Sequence, residues 1–370
     1  MKRVCLIGNN NFGKVSGDGQ RVKTRVWLDA FEKEKIDLDF VELEGWKKHP
    51  FSLFLKIMKG LKHCDVIILM AASNGTKILV PLINVLNKKY KRRFVVVFIG
   101  LSSITPFVEN LSPAEANNFI IKHTFAGKAD AKMARNLKKV TLVLVETEII
   151  QKLVRVFYGI DNCKVLNNFR FIECPAQHKY INDLPIKLVY ISRVSSTKGI
   201  FDLLNALCIV NKNNINFKLD IFGPKQFDLI EMEEFDKLLE QEKSFSKYCG
   251  VIDQSKILNK MRDYDALVFP TRYMAEGTPG ILSEALLTGL PVISSAFPQH
   301  TSILKNGFDS MIFDFCNVKD LEEKLLLLAK NPELLNILQN GAIESGKRFS
   351  FMSNRTTFLN CVFGEKNNEK

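Results

Sequence analysis

Two carboxylates, Glu276 and Glu284, stand eight positions apart in the stretch AEGTPGILSEALLTGLPVISS. On one continuous helix their side chains would differ by about 80° around the axis and would not face one ligand. Pro279 and Gly280 instead predict that a helix begins near Ile281, so that Glu276 lies in a loop and Glu284 in the first turn. The N–H groups of the turn would then face an anion, with a carboxylate on either side to accept hydrogen bonds from hydroxyls. The stretch predicts a sugar-nucleotide site; the alternative is that Glu284 only complements the helix dipole and Glu276 is a surface acid.

Two cations follow the first strand predicted in the second half of the chain. Arg193 ends the run IKLVYISR, and Lys198 comes five residues later, directly before a helical pattern that includes Asp202. Both side chains and the helix dipole would favour the same anion, so the pair predicts a diphosphate clamp. The alternative is a pair of solvated surface cations. Gly223 and Pro224 predict a close turn at the same edge of the sheet.

Glycines recur after the first strand of the chain, before a helix predicted to start at Gln20. Gly17 and Gly19 keep the backbone free of side chains there, which suits the exposure of N–H groups to a phosphate or a sugar. The spacing does not fit the dinucleotide fingerprint G-x-G-x-x-G, because Val22 stands where a third glycine or alanine is required. The alternative to a ligand-binding loop is a merely flexible one.

Asp263 and Asp265 form a D-x-D pair of the kind that holds a divalent cation on a diphosphate. Asp265 directly precedes the buried run Ala266–Phe269, which places it at the amino end of a strand and away from the ligand edge. The five histidines show no metal-ligand spacing. No metal site is therefore predicted.

Strand ends must meet at one edge of a sheet to assemble such a site. Short β-branched runs alternate with helical patterns along the whole chain, which is typical of βαβ units. The predicted fold class is α/β, with two Rossmann-like doubly wound parallel-sheet domains facing each other across a cleft, residues 1–180 and 181–345. A linker at 169–185 joins them, and a last helix with a frayed tail covers 346–370. The strand candidates are Arg3–Ile7, Leu38–Leu43, Val66–Met70, Phe94–Ile99, Thr141–Val145, Lys164–Leu166, Lys187–Ile191, Phe217–Ile221, Tyr248–Val251, Ala266–Phe269, Pro291–Ser294 and Met311–Phe313.

The net charge of +12 is concentrated in the first half of the 370 residues. Residues 1–180 hold 30 Lys and Arg against 16 Asp and Glu, whereas residues 181–370 hold 22 against 24. No apolar run reaches the roughly 18 to 20 residues that span a bilayer. The eight cysteines are scattered without a C-x-x-C pair, which is typical of reduced core residues in a cytoplasmic protein.

The basic excess peaks in residues 46–93, where eleven basic residues accompany one acid, Asp65. A basic amphipathic helix there predicts docking on an anionic membrane surface, at roughly 1 kcal/mol per well-placed cation. The alternative, compatible with the first, is a helix that buries its apolar face on the sheet. A nucleic-acid-binding protein could use the same charge, but no helix-turn-helix, zinc or RRM signature is present, so no nucleic-acid partner is expected. The apolar stripe comprises Phe51, Phe54, Leu55, Met58 and Leu61.

Taken together, ISRVSSTKGIFDLLNAL, FGP, YCGVI and AEGTPGILSEALLTGLPVISS resemble the GT-B glycosyltransferases of family 4. The resemblance is strong for residues 186–315 and weaker in the first half. It implies that Arg193 and Lys198 bind and stabilise the departing diphosphate, that Glu276 holds sugar hydroxyls and that Glu284 holds the ribose. The remaining donor-binding positions that it implies are Gly17, Gly19, Gly223, Gly277, Thr278, Pro279 and Gly280.

The resemblance also implies a reaction: transfer of a hexose-type sugar, with retention, from a UDP- or GDP-sugar without metal or other cofactor. The acceptor would be lipid-linked or a growing polysaccharide, as in capsule, O-antigen or exopolysaccharide assembly, and the enzyme would be cytoplasmic or peripheral on the inner face of the plasma membrane. The chain departs from the family at one position: members often have a histidine after the fourth strand of the first domain, and this chain has none there. Ser102, Ser103 or His123 are the candidate substitutes. An epimerase or a phosphorylase would share the fold.

Overall fold

The computed structural model describes residues 2–10, 19–98, 131–181, 183–273 and 278–365. The chain forms two compact units, Met1–Phe171 with Phe351–Lys370 and Ile172–Met274 with Pro279–Ser350. Each unit holds a six-stranded parallel sheet flanked by helices, which confirms the predicted doubly wound α/β class. The units divide at 171/172 and 350/351, whereas the sequence suggested domain limits at 180/181 and 345/346.

The first sheet has the strand order β2-β1-β3-β4-β5-β6, and all of its pairs are parallel. Its central strands are uniformly buried because helices cover both faces, and this explains their unbroken apolar runs. The strands are β1 Val4–Gly8, β2 Leu38–Glu42, β3 Val66–Ala71, β4 Arg93–Phe98, β5 Leu142–Val145 and β6 Cys163–Val165. The helices described in this unit are α1 Gly19–Lys33, α2 Pro50–His63, α3 Ser73–Tyr90, α4 Ala131–Leu137, α5 Glu148–Tyr158 and, from the end of the chain, α13 Phe351–Phe363.

Helix α13 returns to the first unit because its aromatic side chains complete that unit's core. Phe358 is fully buried, with its ring 5.0 Å from that of Trp27 and 5.3 Å from that of Phe31, both on α1. A bidentate ion pair between Arg355 and Glu34 closes the edge of this contact at 2.6 and 2.7 Å. The last helix therefore belongs structurally to the unit in which the chain begins.

The second sheet has the order β12-β11-β10-β7-β8-β9, again with parallel pairs. The chain runs outward from β7 through β8 to β9, and then returns to add β10, β11 and β12 on the other side. The point between β7 and β10 is thus the switch point at which open α/β sheets bind ligands. The strands are β7 Ile186–Ile191, β8 Phe217–Phe222, β9 Ser246–Tyr248, β10 Ala266–Phe269, β11 Val292–Ser295 and β12 Ser310–Phe313. The helices described here are α6 Ile200–Val210, α7 Leu229–Gln241, α8 Ile257–Met261, α9 Gly280–Leu287, α10 Pro298–Thr301, α11 Val318–Lys330 and α12 Leu334–Gly346.

All twelve predicted strands exist, and one was misplaced. The candidate Tyr248–Val251 ends at Tyr248, because Gly250 adopts φ 79° and turns the backbone out of the sheet. The cysteines were also predicted as core residues, but Cys174, Cys208 and Cys316 are exposed. All eight are unbridged. Within the part of the chain that the structure describes, no helix combines the length and the apolar character needed to cross a membrane.

Candidate functional site

Arg193 lies two residues beyond the carboxyl end of β7, at the switch point of the second sheet. The Tyr190 hydroxyl donates to the Arg193 carbonyl at 2.7 Å, which fixes the backbone as it leaves the strand. The guanidinium donates to Oε1 of Gln226 at 3.3 Å and lies 6.0 Å from the ring centre of Tyr273. The predicted position of this cation at a strand end is confirmed.

Lys198 ends a 3₁₀ turn, Ser196–Lys198, that precedes α6. Its side chain is only 4% exposed, although a lysine in a solvated loop would be mostly accessible. The ammonium lies 5.1 Å from the ring centre of Tyr273 and 5.9 Å from that of Phe269. The interpretation of Arg193 and Lys198 as solvated surface cations is therefore wrong for Lys198, and both cations lie near the same aromatic ring.

Hydrogen bonds join the loop after β7 to the loop after β10, and the loop after β10 to the last residue of β11. The Arg272 backbone N–H donates to the Thr197 carbonyl at 2.9 Å, and Ser295 Oγ donates to the Thr271 carbonyl at 2.9 Å. The Arg272 guanidinium lies 3.3 Å from Asp202 Oδ1. Burial raises the pKa of Asp202, and the charge of Arg272 opposes that shift. The switch-point loops thus form one connected frame around the cations.

Two glycines allow this frame to close. Gly199 adopts φ 73°, and a Cβ on it would lie 1.9 Å from the Pro270 carbonyl oxygen. Gly223 adopts φ 138°, and its Cβ would lie 1.7 Å from the Ser192 carbonyl oxygen. A side chain at either position would push apart neighbouring strand ends. The close turn predicted at Gly223 is therefore required by the approach of the loop after β7.

Helix α9 begins at Gly280 with Pro279 as its N-cap, one residue before the predicted start. Glu284 is therefore the fifth helical residue and lies in the second turn; its predicted place in the first turn was wrong. Its side chain is 3% exposed and accepts a hydrogen bond from Nε2 of Gln254 at 3.1 Å. A carboxylate so deeply buried is not there only to complement the helix dipole, because the dipole effect requires no burial.

Two further predicted site residues lie at the starts of helices. Thr278 is half-buried and directly precedes the N-cap of α9, and Gly19 is the exposed first residue of α1, where a Cβ would meet nothing within 4 Å. The remaining predicted positions, which lie outside the described residues, are Gly17, Ser102, Ser103, His123, Glu276 and Gly277.

The D-x-D pair lies where it was predicted, away from the ligand edge. Asp265 precedes β10 and accepts hydrogen bonds from Lys179 Nζ at 2.6 Å and from the Lys187 backbone N–H at 2.8 Å. Asp263 pairs with Lys260 at 2.9 Å. Both carboxylates thus have structural partners, and no metal-binding cluster occurs among the residues that the structure describes.

Sequence reasoning missed two residues of this site. Tyr273 follows β10 by four positions, and an aromatic residue in a switch-point loop was a signal that could have been noticed. Gln254 follows the edge strand β9 and lies 30 positions from Glu284. No local pattern links those two residues, because only the tertiary fold brings them together.

Comparisons with known proteins agree with this architecture. An uncharacterized glycosyltransferase of Methanocaldococcus jannaschii is 28% identical over 167 residues, covering 45% of this chain and 43% of the relative. The capsular polysaccharide biosynthesis glycosyltransferase CapM of Staphylococcus aureus is 26% identical over 195 residues, covering 52% of this chain and 47% of CapM. The alignments span less than half the length of either relative. The crystal structure of Anabaena HepE with UDP and glucose matches with a TM-score of 0.68 at 12% identity, covering 97% of this chain and 98% of HepE.

The likeness over almost the whole chain, together with the two doubly wound sheets, defines the GT-B fold. Residues 176–345 match the family described as Glycosyl transferases group 1. The chain thus has the GT-B fold, and the family model that it matches lies within its second unit.

Proposed function

We propose that the chain is a retaining glycosyltransferase of family 4 that transfers a hexose-type sugar from a UDP- or GDP-sugar to a saccharide or lipid-linked acceptor. The observation that carries the proposal is the placement of Arg193 and the buried Lys198 around Tyr273 at the switch point of the second sheet. Two cations held there suit a diphosphate, since that edge is where α/β sheets bind anionic ligands. The UDP and glucose bound to HepE and the capsular role in the name of CapM support the substrate class.

Each residue of the proposed donor site has a role in the donor complex. Arg193 and Lys198 balance the charge that develops on the departing diphosphate, which lowers the barrier to its release. The N-terminus of α9 adds its partial positive charge to the same anion. Glu284 accepts hydrogen bonds from the ribose, and Glu276 from the sugar. The acceptor attacks the face that the diphosphate leaves, and a phosphate oxygen helps accept its proton.

Because two side chains supply the positive charge, the reaction is proposed to need no metal ion. Transfer should continue at an unchanged rate in the presence of EDTA. Loss of activity with EDTA and its recovery with Mg²⁺ or Mn²⁺ would contradict this part of the proposal.

Nucleotide binding and product analysis test the function. Titration calorimetry with UDP, GDP, UMP, GMP and NAD should give binding of one nucleoside diphosphate, weaker binding of its monophosphate and no binding of NAD. Lys198→Met should weaken the binding of the diphosphate far more than the binding of the monophosphate. Glu284→Ala should weaken nucleotide binding, whereas Glu276→Ala should mainly slow transfer. Equal, negligible effects of the two alanine substitutions would refute their roles, and an inverted anomeric configuration in the product, read by NMR, would refute retention.

We also propose that residues 46–93 dock the first unit on an anionic membrane surface. Helix α2 buries Leu53, Ile57 and Leu61 in the core, so the alternative of a packed helix accounts for one face. Phe51 and Leu55 nevertheless remain 72% and 52% exposed. The lysines of the same helix that are exposed beside them are Lys56, Lys59 and Lys62. An apolar pair ringed by cations suits insertion into an anionic headgroup layer.

Vesicle flotation tests the docking surface. The protein should float with vesicles that contain phosphatidylglycerol and not with pure phosphatidylcholine, and Phe51→Ser with Leu55→Ser should abolish flotation. A matched control is Leu229→Ser with Ile230→Ser on α7, which removes two apolar side chains of even greater exposure from the second unit. Equal flotation of the wild type and the α2 variant would exclude this surface.

A further inference from the structure

The carboxylate of Glu284 is hydrogen-bonded to a residue from a different part of the fold. Gln254 Nε2 donates to Glu284 Oε1 at 3.1 Å. Gln254 lies in the connection from β9, the edge strand, to β10, whereas Glu284 lies on the helix that follows β10. The hydrogen bond therefore links the segment between β9 and β10 to the helix after β10. It does so at Glu284, the residue proposed to contact the ribose.

The position of Gln254 is fixed by its own segment. Asp253 caps the 3₁₀ turn Gln254–Lys256, and its Oδ1 accepts from both the backbone N–H of Ser255 at 2.8 Å and the Ser255 hydroxyl at 2.5 Å. The turn leads directly into α8, so the amide group is presented by a short, well-anchored stretch of backbone.

Helix α8 in turn packs against α9. Ile257 and Met261 of α8 are buried in the same core cluster as Leu282 and Leu286 of α9. The Thr288 hydroxyl, one residue past α9, lies 3.9 Å from the Met261 sulfur. Both partners of the Gln254–Glu284 hydrogen bond are thus held on one packed frame.

We propose that Gln254 is a positioning residue: it holds one oxygen of Glu284 so that the carboxylate meets the ribose hydroxyls of the donor. A glutamate has three side-chain torsions, and fixing them before binding removes an entropic cost that the ligand would otherwise bear. A hydrogen bond to a charged group is also among the stronger ones in proteins. The inference depends on the proposed function, since it assumes that Glu284 binds ribose.

The test compares the affinities for UDP and for 2′,3′-dideoxyuridine diphosphate, which lacks both ribose hydroxyls. If the donor proves to be a GDP-sugar, GDP and 2′,3′-dideoxyguanosine diphosphate are compared instead. Gln254→Met keeps the side-chain length and removes the amide. We expect it to raise the Kd for the diphosphate about fivefold to tenfold, because the ligand then bears the cost of ordering the Glu284 side chain, and to change the Kd for the dideoxy analogue by no more than about twofold. The KM for the donor should rise while kcat stays near the wild-type value. Asn259→Met, on the exposed side of α8, is the matched control and should change the affinity for neither nucleotide.

Two failures are distinguishable. If the wild type binds the two nucleotides equally, Glu284 does not read the ribose, and the proposed role of that residue falls together with this inference. If the wild type discriminates between them and Gln254→Met discriminates equally well, the ribose contact stands and the positioning role of Gln254 is refuted. A melting temperature equal to that of the wild type shows that the variant is folded.

Discussion

The ammonium group of Lys198 lies 5.1 Å from the centre of the Tyr273 ring, and the guanidinium of Arg193 lies 6.0 Å from the same centre. Two like charges near one point repel each other, and the electron-rich face of the ring offsets part of that repulsion. Tyr273 is 38% exposed, so its ring lies near the two cations and also reaches solvent. The aromatic side chain thus lies close to both cations and favours their proximity.

Replacement of Tyr273 should therefore weaken diphosphate binding through the cations. Tyr273→Leu removes the ring and should raise the Kd for the nucleoside diphosphate about threefold to tenfold, in line with one or two cation–π contacts. Tyr273→Phe keeps the aromatic ring, and its Kd for the nucleoside diphosphate should stay within about twofold of the wild-type value. Calorimetry at two salt concentrations measures both variants. An equal loss in the two would assign the effect to the hydroxyl and contradict the role of the ring.

Gly199 should tolerate no side chain. Gly199→Ala places a Cβ 1.9 Å from the Pro270 carbonyl oxygen and adds the left-handed backbone penalty of about 1–2 kcal/mol. Together with the overpacking, we expect a total loss of about 2–5 kcal/mol in the stability of the second unit, measured by urea unfolding. Gly307→Ala is the matched control, since Gly307 has φ 75° and open space around its Cβ position. Similar losses in both variants would mean that the approach to Pro270 contributes nothing.

Glu242 should make stability depend on pH. This carboxyl is 2% exposed, and burial raises its pKa to about 7, an effect that the Cys208 thiol opposes. The folded state therefore holds the proton more tightly than the unfolded chain, so stability is greatest below the unfolded pKa of 4.5 and falls as the pH rises to about 7. Glu242→Gln should remove this pH-dependent loss, which is on the order of 2 kcal/mol in the free energy of unfolding. Thermal unfolding between pH 4.5 and 8 measures it, with the exposed Glu240→Gln as control; an unchanged slope in Glu242→Gln would refute the assignment.

The first unit contains a buried ion pair whose loss should be costly. Lys23 on α1 and Glu146, directly after β5, lie 2.5 Å apart, with side chains 7% and 9% exposed. Removing one partner leaves a buried charge uncompensated, so Lys23→Met should cost about 3–5 kcal/mol. Lys23→Met with Glu146→Leu should recover most of that loss, because the pair itself contributes little net stability. Calorimetric unfolding compares these variants with Lys243→Met in the exposed pair with Glu240, which should cost less than about 1 kcal/mol. Equal stability of Lys23→Met and the wild type would contradict the expectation.

The alternation of elements could be read from the sequence because it depends on short-range patterns. Buried parallel strands need apolar runs, and helices need a 3.6-residue period, so all twelve strands were visible. The exception at Tyr248 arose because a glycine in the left-handed region looks, in sequence, like any other glycine. Helix α2 shows a similar limit. Its stripe was visible, but only packing decided that Leu61 is buried and Phe51 exposed.

By itself, the sequence determined the class of the fold, the loops that carry Arg193 and Lys198, and the turn that starts α9. Each of these depends on neighbouring residues and on the dipole and torsion preferences of a few peptide units. Only the tertiary structure decided that Lys198 is buried near Tyr273, and that Glu284 is held by Gln254. Those contacts join residues 30 to 75 positions apart, and no local propensity encodes them, because the strand order of the sheet, rather than the order of the chain, decides which loops meet.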